Sequence, residues 1–224
     1  MSVADTTLLH APRALSPAAA TRLGTFSVPL ILIALGILCL PIDIPVAQFC
    51  LQTQFPRTIV DLLKNAEAFG HSAGVGMIVL TVLFLDPQGR TRAINAMLCA
   101  ITAGMSANVI KLCIGRLRPH QLLTAPDDLA TTFTGLFRFA AGGSAHQSFP
   151  SAHTATAIGL AVALSAAYPR GRIWFFVMAA LVGMQRVQTS AHFPSDVFAG
   201  AATGWIAAQL ILAWRSPSTS TSAT

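Results

Sequence analysis

Long apolar stretches alternate with short polar ones along this chain, and their lengths match a bilayer better than a soluble core. A bilayer interior of about 30 Å needs roughly 20 apolar residues per helix. Six segments approach that template: Leu23 to Leu40, Gly70 to Leu85, Ala93 to Ile114, Ser151 to Tyr168, Ile173 to Gln188 and Ser195 to Trp214. The second and fifth are short, which points to tilted or irregular ends. The first follows Arg22 as a secretory signal would, but it lacks a small-residue cleavage site and runs into Pro41 and Pro45, so it reads as a span. The pattern predicts an all-α polytopic membrane protein, a bundle of six transmembrane helices over residues 23–214.

The flanks, 1–22 and 215–224, are rich in Ala, Ser, Thr and Pro and bury too little apolar surface to order themselves. They read as flexible tails. In an up-and-down bundle both tails and the turns DPQGRTR and YPRGR share one side, which carries Arg13, Arg22, Arg90, Arg92, Arg170, Arg172 and Arg215. The other side holds Arg57, Lys64, Arg116 and Arg138 among the acids Asp43, Asp61, Glu67, Asp127 and Asp128. Lys and Arg near span ends favour the cytoplasm, so both termini are expected there, in a plasma (inner) membrane.

Between the first two spans, TIVDLLKNAEAF sets Ile59, Leu62, Leu63 and Ala66 at helical spacing opposite Asp61, Lys64, Asn65 and Glu67, as in a helix lying in the interface. His120 to Phe149 reads as a long loop whose Phe133, Phe137 and Phe139 are placed to dip into lipid.

Composition agrees: 54% of residues are hydrophobic and 10% charged, too few charges for a soluble domain of 224 residues. The net charge of +6 does not indicate nucleic acid, because the cations are scattered between apolar runs without interleaved aromatics. Cys39, Cys50, Cys99 and Cys113 lie in or beside apolar runs without metal-ligand spacing and read as small buried hydrophobes. Gly200 and Gly204, with Ala201 and Ala208, form a small-residue face expected to pack inside the bundle.

Three polar motifs break the apolar pattern: KLCIGRLRP from Lys111, PSAH from Pro150 and RVQTSAHFPSD from Arg186. Ionisable groups at membrane depth call for a function, and the topology sends all three to the extracytoplasmic face. Lys111 and Arg118, seven positions apart, project from one face if the helix continues that far, a point charge and a fork for one oxyanion. Ser151 is placed to cap the fourth helix, leaving the Ala152 and His153 amides aimed out of a helix start, where phosphate binds. His153 there is suited to protonate a leaving oxygen. Pro194 fits the first turn of the sixth helix, with Asp196 just inside it and His192 just outside; a carboxylate bonded to one imidazole nitrogen leaves the other as nucleophile.

These motifs resemble those of the type 2 phosphatidic acid phosphatase family: Lys, six residues, Arg-Pro; then Pro-Ser-Gly-His; then Ser-Arg, five residues, His, three residues, Asp. Lys111, Arg118, Pro119, Pro150, Ser151, His153, Arg186, His192 and Asp196 match. Ala152 stands for the family glycine, adding a methyl beside the expected phosphate position, and Gln185 for the serine, a longer hydrogen-bonding arm. The resemblance implies that His192 forms a phosphohistidine, with Asp196 orienting it and His153 acting as acid. It also implies that Lys111, Arg118, Arg186 and Ser151 hold the phosphoryl oxygens, with no metal or cofactor. The substrate it implies is a membrane lipid phosphate or pyrophosphate. A lipid phosphotransferase using the same residues, or a lipid-binding protein with a degenerate site, is the alternative.

Overall fold

The computed structural model describes residues 17–124, 129–137 and 143–216. All six apolar segments are helical. Helix α1 (Pro17–Cys39) passes through a 3₁₀ turn at Leu40–Ile42 into α2 (Asp43–Gln52), and α3 (Arg57–Ala66) passes through another at Glu67–Gly70 towards α4 (Ser72–Leu85). Then come α5 (Gly89–Cys113), the single turn α6 (Leu129–Thr132), α7 (Ala152–Ala167), α8 (Arg172–Gln188) and α9 (Pro194–Arg215). Helix α1 begins inside the stretch read as an amino-terminal tail; residues 1–16 and 217–224 lie outside the described residues.

Among the described residues, three continuous stretches, Phe26–Gln52, Gly89–Cys113 and Pro194–Arg215, are long and apolar enough to cross a membrane, and the α3 and α4 segments form a fourth path bent by 66°. The other two segments, α7 and α8, have 16 and 17 residues. Helix α7 is the centre of the bundle, packed against α5, α8 and α9, while α1 lies on α9 and α4 on α5. Its Ala155, Ala157, Leu160, Ala161, Val162, Ala163 and Leu164 are buried.

Helices in lipid gain little from excluding water and associate through close packing of small residues. A Cβ on Gly159 would stand 2.6 Å from the Cys99 carbonyl oxygen, and one on Gly200 2.4 Å from that of Ser151. The expected small-residue face of α9 is therefore spent inside the bundle, with Ala201 and Ala208 also buried. The outward faces carry Phe26, Leu30 and Leu38 on α1, Met77 and Phe84 on α4, Met105 and Val109 on α5, and Leu210 on α9, all exposed. Apolar surface this extensive suits acyl chains.

At one end of the bundle the α4–α5 and α7–α8 turns meet. Asp86 Oδ2 accepts from Arg92 Nη1 at 2.6 Å and from the Tyr168 hydroxyl, and Arg92 lies 5.2 Å from the Tyr168 ring centroid. The two basic turns thus share an end, as an up-and-down layout led one to expect. Hydrogen bonding by Tyr168, then by Arg92, holds the Asp86 carboxyl down at about 2.

At the other end the structure departs from an all-helical pattern. Helix α5 stops at Cys113, and β1 (Ile114–Arg116) pairs antiparallel with β2 (Phe133–Leu136), Ile114 opposite Leu136 and Gly115 opposite Gly135. The expected loop therefore contains regular structure, and Phe133, though exposed on one side, lies with its ring centroid 4.5 Å from the Arg116 guanidinium. Phe137 is exposed, and Phe139 lies outside the described residues. In α3, Leu63 and Ala66 are buried while Ile59 and Leu62 stay exposed. Glu67 does not share the outer polar face, because the tighter 3₁₀ turn swings it inward.

Candidate active site

The three motifs converge where α5 and α8 end and where α7 and α9 begin. Lys111 is buried in the last turn of α5, and Arg118 lies beyond β1, so helical spacing does not align the two as expected. The ribbon folds Arg118 back instead: its amide donates to the Ala145 carbonyl at 2.9 Å. Its Nε is buried without a hydrogen-bond partner among the described residues. A buried, unsatisfied guanidinium donor is what an oxyanion completes. Lys111, Arg118 and Arg186 are close enough for their charges to repel, and burial, followed by Arg186, pulls the Arg118 guanidinium below its usual value.

The α8–α9 turn positions His192. The Arg186 carbonyl accepts from the Ala191 and His192 amides at 3.1 and 3.2 Å, and Ser190 takes a left-handed backbone (φ 52°) to close the loop. The His120 amide donates to the Ser190 carbonyl at 3.1 Å and fastens this turn to the segment after Arg118. His192 itself is buried, with Nδ1 2.6 Å from the Ser148 carbonyl oxygen. A carbonyl only accepts, so Nδ1 carries the proton and Nε2 keeps a free lone pair. Burial draws the imidazole below its usual value, against the pull of Asp196.

Asp196 does not bond His192 directly as the sequence led one to expect. The two are 3.8 Å apart, beyond hydrogen-bonding distance. Asp196 Oδ2 instead accepts from Ser148 Oγ at 2.6 Å and from the Phe193 amide at 2.9 Å, and Oδ1 accepts from Arg116 Nη1 at 2.5 Å. Arg116 extends the network: Nη2 donates to Asp43 Oδ2 at 2.7 Å and Nη1 to Ser195 Oγ at 2.7 Å. Asp43 also accepts from the Ser195 amide at 3.0 Å. Asp43, Arg116 and Asp196 are fully buried. One guanidinium between two carboxylates leaves a formal excess of negative charge beside His192.

On the opposite side, Arg186 Nη2 pairs with Glu67 Oε1 at 2.6 Å, and that oxygen is 3.8 Å from His153 Nε2. Gln185 donates from Nε2 to Glu67 Oε2 at 3.0 Å and accepts from Arg186 Nε at 2.5 Å. The His71 ring lies 5.9 Å from that of His153. Ser151 caps α7 as expected: its Oγ accepts from the Thr154 amide at 3.4 Å and from Thr154 Oγ1 at 2.9 Å. Ala152 packs against the cluster of Ala103, Ala107 and Ala155.

Of the sequence-identified residues, Lys111, Arg118, Ser151, Ala152, His153, Arg186, His192 and Asp196 all gather at this end. Sequence reasoning missed Asp43, Arg116, Ser148, Glu67 and His71 as members. Asp43 did carry a signal, an acid beside a long apolar run. Ser148 carried none, since its contribution is partly a backbone carbonyl.

A bundle with lipid-facing flanks, holding a tautomer-fixed imidazole among three cations at one end, defines a membrane protein equipped to handle an oxyanion. The comparisons make the class specific. Residues 92–220 match the model of the PAP2 superfamily, and the chain belongs to that family. It is 31% identical over 189 residues to the lipid A 1-phosphatase of Rhizobium etli, covering 76% of each chain. It is 40% identical over 106 residues to that of Rhizobium johnstonii, covering 46% of this chain and 40% of the relative. Among solved structures, LpxE of Aquifex aeolicus superposes with a TM-score of 0.56 at 22% identity, covering 77% of this chain and 95% of that one. The first transmembrane PAP2 type phosphatidylglycerolphosphate phosphatase from Bacillus subtilis gives 0.56 at 19% identity, covering 86% and 96%. At those identities the likeness is one of fold.

Proposed function

We propose that this protein is an integral membrane phosphatase that removes a phosphate monoester from a lipid, with the 1-phosphate of lipid A as the leading substrate. The observation that carries the reading is the commitment of His192 Nδ1 to the Ser148 carbonyl, which leaves Nε2 free on a ring that feels the charges of Lys111 and Arg118, with Arg186 in turn close to Lys111. The lipid A 1-phosphatases among its relatives favour that substrate. An apolar cavity of about 740 Å³, walled by residues such as Leu32, Phe49, Leu63, Phe176 and Phe198, reaches Thr154 and Pro194 beside the site, so an acyl chain has room next to the phosphate.

In this reading Lys111, Arg118, Arg186, the Ser151 hydroxyl and the amides of Ala152 and His153 bind the phosphoryl oxygens. His192 Nε2 attacks phosphorus in line, the bond to the lipid oxygen breaks, and His153 protonates that oxygen. Water then attacks the phosphohistidine while His153 accepts its proton, releasing phosphate. Fixed cations neutralise the charge, so the reaction runs without a metal. Residues 23–214 form six spans in the plasma (inner) membrane, with cytoplasmic termini and the site on the periplasmic side.

Phosphate release by detergent-purified protein in the presence of chelator tests the reading, across lipid A, phosphatidic acid, phosphatidylglycerol phosphate and polyprenyl pyrophosphate. Turnover that survives chelator and is abolished by His192→Ala supports it. Wild-type release no greater than that of His192→Ala on every lipid refutes it.

A further inference from the structure

Glu67 belongs to none of the three motifs, yet its carboxylate closes one side of the site. The 3₁₀ turn that carries it packs on α7 and α8, and Gly70 sets its depth: a Cβ there would stand 2.7 Å from the His153 carbonyl oxygen. Gln185 and Arg186 bracket the carboxylate, one on Oε2 and the other on Oε1, with Gln185 Oε1 in turn accepting from Arg186 Nε. This closed ring explains the glutamine: a serine hydroxyl, about two bonds shorter, does not reach both partners.

The charges around His153 give Glu67 a second consequence. The other charged and titratable groups around the imidazole are Arg186 from α8, Lys111 from α5, His192 from the α8–α9 turn and His71 from the head of α4. Glu67, 3.8 Å from Nε2, is the acid paired with this ring. At the dielectric of water, a unit charge at that distance corresponds to nearly one pH unit in the imidazole midpoint.

We propose that Glu67 is a positioning residue: bracketed by Gln185, it aims Arg186 at the phosphate and supplies the negative charge that keeps a proton on His153 until the leaving oxygen takes it. The proposal rests on the phosphatase reading of the site. As the phosphorus–oxygen bond to the lipid breaks, its electron pair stays on the departing oxygen, which takes the proton from His153. Glu67 exchanges no atom. Acid assistance of this kind contributes about 10²–10⁴-fold and matters most when the leaving oxygen is strongly basic, as in an alkyl or sugar alcohol.

The test compares wild type, Glu67→Gln and Glu67→Asp on a lipid phosphate and on p-nitrophenyl phosphate, whose leaving group needs little acid. In parallel, the His153 titration is followed by NMR of histidine-labelled protein, assigned with His153→Asn. Glu67→Gln is expected to lose about 100-fold in kcat on the lipid and under about 10-fold on the aryl ester. Its His153 midpoint is expected to fall by about one pH unit, and Glu67→Asp to recover part of both. Equal losses on the two esters, or an unmoved midpoint, overturn the proposal. A wild type inactive on both esters counts against the phosphatase reading, and the midpoint then decides the electrostatic role of Glu67: a fall upholds it, no change ends it.

Discussion

Ser148 serves His192 with its backbone and Asp196 with its side chain: the carbonyl oxygen is 2.6 Å from His192 Nδ1, and the hydroxyl donates to Asp196 Oδ2 at 2.6 Å. The carboxylate therefore reaches the imidazole through a residue outside the three motifs. It acts by charge and by holding Ser148, with the Nδ1 proton fixed by a main-chain group that no substitution of a single side chain removes.

That arrangement separates two variants. Ser148→Ala keeps the carbonyl and loses one buried hydrogen bond, so it is expected to retain kcat within about 10-fold while losing about 1–3 kcal/mol of stability. Asp196→Asn removes a charge that balances Arg116 and faces the His192 imidazole and, on the proposed mechanism, is expected to cost at least about 100-fold in kcat. Phosphate release and chemical unfolding in detergent measure both; an equal loss of kcat in the two variants contradicts the assignment.

A covalent intermediate on His192 predicts a labelled phosphoenzyme, stable to base and labile to acid, when p-nitrophenyl phosphate is the donor. His153→Ala should let it accumulate, because the aryl group leaves unaided while the attacking water loses its base. Rapid quench followed by peptide mapping detects it, and label on any residue but His192 rejects the mechanism.

The buried imidazole of His192 titrates below its ordinary value, with burial the first cause. Unfolded, it binds a proton below about pH 6.5; folded, it resists until lower pH. Its contribution to stability is therefore complete above about pH 6.5 and is lost as the pH falls toward the folded midpoint. His192 stays neutral over the same window, so if it is the nucleophile, as proposed, the acid limb of kcat/KM that it contributes belongs below about pH 6.5. Profiles of kcat/KM, and of unfolding for wild type and His192→Asn, read this out; an acid limb centred above that value rules it out.

Gly200 brings the start of α9 against Ser151, and a Cβ there meets the Ser151 carbonyl oxygen at 2.4 Å. Gly200→Val is expected to push α9 from α7, lower stability by about 1–3 kcal/mol and lower kcat by at least about 10-fold by displacing Asp196. Thermal unfolding and turnover in detergent measure the two effects. A variant with wild-type turnover shows that the α7–α9 spacing does not set the site.

Much of this molecule was legible along the chain because it is written in local rules. Runs of apolar residues near bilayer length became helices, Ser151 and Pro194 began α7 and α9 where capping and proline geometry put them, and the fixed spacing from Arg186 to Asp196 became one tight turn. The β1–β2 ribbon and the Asp43–Arg116–Asp196 network were not legible, because each joins residues distant in sequence, nor was the bend at Glu67–Gly70, whose turn packs on the distant α7 and α8. Arg116 reads as a basic residue at a membrane edge until Asp43 and Asp196 meet it, and a buried charge is tolerable only once such partners are in place. The sequence by itself determined which groups are present and roughly at which end of the bundle; tertiary packing decided which of them touch, since burial and hydrogen-bond direction exist only after the helices have come together.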